Sequence, residues 1–268
     1  MATDVSVDRI FHIKRNSEGI SGDVLLSGMT IRLGDGGEDY AGGGILASGG
    51  SGTRLTIKQC VITANEGKWG GGLSHETIDG ILHIKSSYFT DNKTTRFGGG
   101  GIRLSGTDST TTIKGSTVSR NEGISERGGI EHFSTGGDLT IRNSLISNNT
   151  VTEGHGGGIS HDGNDDGSLT IYGSRIQGDF AETSGGGMFD ESTGEDNVIS
   201  LVGVSIKGNT ANAGDGGGLL QSEATLNVKF STIRNNTDVG GEAPDCSGTL
   251  NARYFVLIGD PTGCTIIE

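Results

Sequence analysis

Proline is almost missing from this chain, at two residues in 268, and aromatic residues supply only 5% of it. No apolar stretch approaches the ~18 residues of a membrane-crossing helix, so no membrane insertion of this segment is expected. Positive charge is scarce. Twenty Lys and Arg stand against 33 Asp and Glu, a net charge of −13 that disfavours nucleic acid as a partner. Without a Gly-X-Y period and with so little proline, collagen is excluded. Hydrophobic residues, at 31%, are thin for an ordinary core. Glycine alone is in excess, with 51 residues. Such a chain folds only if its few apolar residues are placed very regularly.

They are. A glycine cluster ending in one aliphatic residue recurs, as in Gly42-Gly43-Gly44-Ile45, Gly70-Gly71-Gly72-Leu73, Gly99-Gly100-Gly101-Ile102 and Gly128-Gly129-Ile130. It returns before Ile159, Met188 and Leu219, at intervals of 28 to 31 residues. A short alternating run follows each cluster, such as Leu55-Thr56-Ile57-Lys58 or Leu139-Thr140-Ile141-Arg142. Ten places from the start of each run stands Asn65, Asn92, Asn121, Asn149, Asn209 or Asn236, with Asp179 in that place once.

Alternation of period two means strands, and a repeat this short without a helical pattern means one solenoid turn per repeat. Three inward columns run through Leu55 and Leu82, through Ile57 and Ile84, and through Ile62 and Phe89. Stacked like on like at about 4.8 Å, they build a narrow core from few residues. Cys60, Ser87, Ser116, Ser144, Ser174, Val204 and Ser231 form a small-residue column. The Asn column marks an inward turn whose amides hydrogen-bond between coils. The glycines mark a corner too close for a Cβ. The expectation is one all-β domain of about eight coils: a first coil over 1–34, regular coils over 35–243 and a cap over 244–268.

These residues resemble the right-handed parallel β-helix repeat proteins of bacterial surfaces. Leu139-Thr140-Ile141-Arg142-Asn143-Ser144-Leu145-Ile146-Ser147-Asn148-Asn149-Thr150 is similar to the repeat of polymorphic outer-membrane proteins and autotransporter passengers. The resemblance implies a right-handed, pectin-lyase-like solenoid. That architecture is shared with polysaccharide lyases, so it says little about chemistry.

Cys60 in the serine column reads as a buried free thiol. A disulfide between Cys246 and Cys264 would close a loop of about 19 residues, worth ~3 kcal/mol, and would imply an oxidising compartment. The expected location is therefore extracellular or on the cell surface, with a leader removed ahead of Met1.

Four sets of residues carry candidate chemistry. Lys58, Lys85, Lys114 and Arg142 form an outward basic ladder suited to an anionic polysaccharide; the plain alternative is a solvated strand face. The row of threonines beside them suggests an ice-binding surface, but His83 and the lysines break its flatness. After the glycine corner, His75, His132, His161 and Asp190 share a column interrupted by Leu104. With Arg103 and Glu131 these residues offer a general acid and base or a metal site; the plain alternative is half-exposed strand-end residues. Finally, Asp162, Asn164 and Asp166 match the opening of a calcium loop. Gly173 stands where an EF-hand needs its last glutamate, so only a looser calcium site or an acidic turn remains. Asp35 with Glu38-Asp39, and Glu195-Asp196, are weaker versions of it. Trp69 and His12 belong to no column. P-loop, G-x-S-x-G, H-E-x-x-H and paired C-x-x-C motifs are absent from the sequence.

Two functions follow as expectations. One is a structural or adhesin-like module that binds polysaccharide or cell-surface glycan. The other is a calcium-dependent polysaccharide lyase or hydrolase using Arg103, Glu131, His132, His161 and Asp190.

Overall fold

The computed structural model describes residues 9–15, 23–37, 41–125, 127–164, 167–193 and 197–268. Among these there is no helix. The chain winds as a parallel β-solenoid of about eight turns. One coil shows the plan, with strands Leu73–Thr77, Ile81–Lys85, Tyr88–Thr90 and Lys93–Thr94. The next coil repeats it with Ile102–Leu104, Thr110–Lys114, Thr117–Ser119 and Glu122–Gly123. Each strand pairs in parallel with its counterpart one coil on, forming four faces, which we label A to D in chain order. Among the described residues, faces C and D hold nine and seven strands.

Alternation along each strand decides what is inside. Ile57, Ile84, Ile113, Ile141, Ile171, Leu201 and Val228 are fully buried in one column on face B. Ile62, Phe89, Val118 and Ile146 do the same on face C. The thin supply of aliphatic residues suffices because each side chain packs above and below on its own kind.

Glycine is demanded at the corner before face A. A Cβ on Gly71 would lie 2.2 Å from the Lys93 carbonyl oxygen, and Gly70 adopts a φ of +58°. Any larger residue would force the coils apart.

Between faces C and D the asparagines form the expected ladder. Asn65 Nδ2 donates to Asn92 Oδ1 at 2.9 Å, and the Asn65 backbone N–H donates to the same oxygen at 3.1 Å. The second Nδ2 hydrogen goes to the Ile31 carbonyl at 3.1 Å. Asn92 and Asn121 repeat the pattern, the Gly34 N–H begins it, and Asp245 Oδ1 receives Asn236 at its end. Serines form a parallel, shorter series, as in Ser87 N–H to Ser116 Oγ at 3.1 Å. Cys60 sits buried and free in that series, with its thiol directed at the Lys58 carbonyl. Cys246 and Cys264 are joined as a disulfide across the last strands.

Asp179 shows what the ladder requires. Its Oδ1 accepts both the backbone N–H and Nδ2–H of Asn149, at 2.8 and 2.9 Å. Its Oδ2 is buried without a partner, in the place where each asparagine presents a donor. A carboxylate there would face acceptors, so the group must carry a proton. Burial pushes its pKa up to about 8, against the opposing hydrogen bonds from Asn149. The unfolded chain loses this proton near the ordinary value of 3.8, so stability falls as pH rises from about 4 to about 8. Asp179→Asn is therefore expected to raise the melting temperature by several degrees at pH 8, the gain shrinking towards pH 4. Equal or lower stability of the variant at pH 8 in a thermal melt would contradict this protonated rung.

Candidate functional site

Face A carries the site, and its strand phase sorts the residues. The aliphatic residue after each glycine cluster points inward, so the next residue points out and the one after it points in again. Ile130 is buried, Glu131 lies on the outer side, and His132 enters the interior. The five residues nominated for catalysis are thus divided. Arg103 and Glu131 meet on the outer face, with Nε to Oε2 at 3.3 Å. His132, His161 and Asp190 are stacked inside the solenoid and at most 2% exposed, not half-exposed at strand ends.

The interior column is a chain of buried titratable groups. His132 Nδ1 and His161 Nδ1 are 2.9 Å apart, so one ring donates and the other accepts. Burial brings His132 down to about 4 and, with the neighbouring His132, holds His161 well below its ordinary value. Burial likewise lifts Asp190 to about 6, against hydrogen bonds from Ser192. Among the described residues no three His, Cys, Asp or Glu gather to hold a metal ion.

The outer face is organised around Arg127. It stands where Gly99 and Gly156 begin their clusters, so one glycine of the triplet is replaced by a long cation at the coil corner. Its side chain is 9% exposed, and the guanidinium reaches Glu131 Oε1 at 2.7 Å. It also contacts Glu191, donates to Ser160 Oγ at 3.1 Å, and approaches Asp162 Oδ2 at 3.9 Å. Burial opposes its charge, but Glu131 and Glu191 outweigh burial and hold it protonated. Arg103 continues the network by pairing with Glu76 at 3.2 Å. Glu131, 3% exposed, is therefore clamped between two guanidiniums.

Aromatic residues edge this charged strip. Trp69 and Phe97 project from successive coil corners and stack at 5.0 Å with an 11° tilt. Arg103 lies over Trp69 and Arg127 over Phe133. With Glu131 they enclose an open cavity of about 310 Å³. One coil on, His155 stacks on Phe189 at 4.1 Å beside Glu191.

The remaining nominees are placed as follows. Lys58, Lys85, Lys114 and Arg142 stand in register on the outer side of face B, all exposed. Asp162 belongs to the Arg127 cluster. Asp166 lies outside the described residues, as do Glu38, Asp39, Glu195 and Asp196, and the side chain of Asn164 is likewise outside them. Comparison with family models, curated proteins and solved structures gives no match, so the chemistry rests on these residues alone.

Two outcomes test this geometry. Arg127→Ala removes one of the two guanidiniums that hold the buried Glu131, together with the partner of Glu191, and should lower stability by about 3 kcal/mol in urea unfolding; a loss below about 0.5 kcal/mol would show that the cluster is not buried as described. The imidazole nitrogen shifts of His132 should remain those of a neutral ring down to about pH 4, whereas titration near 6.5 would place it in solvent.

Proposed function

We propose that this protein is an extracellular or cell-surface β-helix that binds glycan at the outer side of face A and does not turn it over. The observation that carries the reading is the stacked Trp69–Phe97 pair beside Arg103, Arg127 and Glu131 in one open cavity. Aromatic walls pack against the C–H faces of sugar rings, and clamped charged groups in fixed geometry bond hydroxyls. Binding without turnover is supported by the state of the acids and bases. The oxygens of Glu131 are engaged by guanidiniums, and the His132–His161–Asp190 column is closed inside the coil. The basic ladder on face B offers a second, anion-attracting surface on the same rod.

A surface location is supported by the Cys246–Cys264 disulfide, a bond at home in oxidising compartments. It accords with the repeat's resemblance to polymorphic outer-membrane proteins and autotransporter passengers, which we extend to this chain as part of the proposal.

The competing reading is a calcium-dependent lyase or hydrolase on acidic polysaccharide. Its supporting feature is the gathering of Glu131, Asp162 and Glu191 about Arg127, with His155 3.9 Å from Glu191. A panel of acidic polysaccharides, incubated with and without calcium, separates the two. The binding reading expects glycan-array signal with no unsaturated uronate absorbance and no new reducing ends. Turnover that disappears in Glu131→Gln would overturn it.

A further inference from the structure

We propose that the face A groove takes a neutral, extended oligosaccharide laid along the solenoid axis, in preference to an anionic one. This rests on the glycan-binding reading above and adds the ligand's class and direction.

Charge balance is the first support. The groove brings four cations, Lys68, Arg96, Arg103 and Arg127, and each lies over or beside an aromatic ring of Trp69, Phe97 or Phe133. Four carboxylates stand in the same strip, Glu76, Glu131, Asp162 and Glu191, and they pair with Arg103 and Arg127. Arg103 and Arg127 are already bound by these carboxylates. A uronate or sulfate pairing with either of these two guanidiniums would have to displace Glu131 or Glu191, leaving a carboxylate uncompensated in a largely buried setting.

The second support is the state of Glu131. Its Oε1 accepts from Arg127 at 2.7 Å and its Oε2 lies 3.3 Å from Arg103 Nε, so both oxygens are taken up within the protein. An anionic ligand laid on this strip meets a carboxylate held in place, which repels it.

Direction follows from the fold. Trp69, Phe97 and Phe133 belong to three consecutive coils, and Phe189 lies two coils further on. At about 4.8 Å per coil, the aromatic line rises roughly 19 Å, close to the length of about four linked hexoses. The face B ladder, by contrast, presents Lys58, Lys85, Lys114 and Arg142 exposed and in register, so an anionic polymer has a separate place to go.

The protein supplies its own probe, because Trp69 is its one tryptophan. The experiment titrates intact protein with cello- and chito-oligosaccharides of about four to six residues, and separately with oligogalacturonate and heparin, reading Trp69 emission and heat. A neutral oligosaccharide should shift Trp69 emission, with affinity changing less than about twofold between low and high salt. Phe97→Ala should weaken that binding by roughly tenfold or more, with Phe133→Ala as the alternative if Phe97→Ala melts early. Lys58→Glu combined with Lys85→Glu should leave it unchanged. If oligogalacturonate or heparin alone moves Trp69, with affinity falling steeply as salt rises, the neutral class is wrong while glycan binding stands. If no sugar of either class binds, both readings fall.

Discussion

One side-chain amide per coil holds this molecule in register. The asparagine between faces C and D donates to its own column in the next coil and to the backbone carbonyl of the coil before. A coil that slipped by one residue would lose these bonds and also bring outward side chains into a core two or three side chains wide. Hydrophobic stacking supplies the driving force, but it would tolerate exchange of one aliphatic residue for another. The amide ladder does not, which is why an aspartic acid fits it only with a proton on the unpartnered oxygen.

That rigidity turns face A into a template. Side chains from separate repeats are set at coil spacing, so Arg103, Glu131 and Ser160, far apart in sequence, become neighbours on adjacent strands. Departures from the repeat then carry the chemistry. Arg127 replaces a corner glycine and reaches into the space a glycine would leave empty, while Trp69 and Phe97 rise from the same corner in the preceding coils. The inner side of the same strands takes these polar residues with a hydrogen-bond partner for each, between His132 and His161 and from the Ser192 hydroxyl to Asp190.

Most of the architecture is legible in the sequence because identical residue types recur at fixed offsets. The core columns, the amide ladder and the buried Cys60 lie where the repeat places them, and Cys246 and Cys264 join in the cap that follows it. The site is legible only in part. The inward aliphatic residue at Ile130 fixes the phase, so by alternation alone His132 belongs inside and Glu131 outside, and the two do not form one exposed set. The signal for Arg127 is a glycine triplet reduced to two, a gap in a pattern that is otherwise kept. Trp69 directly precedes Gly70, whereas Phe97 is separated from Gly99 by one residue, so no single offset aligns them. Their contact arises from the corner's shape, which column counting does not carry.

The central claim is that the ladder makes the regular coils one cooperative stack. Native-state hydrogen exchange on the backbone amides of Asn65, Asn92, Asn121, Asn149, Asp179, Asn209 and Asn236 tests it most directly, since each N–H donates to the next rung. The account predicts that the central rungs share one high protection level, with exchange fraying inward only from the two ends. Independent, low protection at a central rung, with its neighbours still protected, would contradict it.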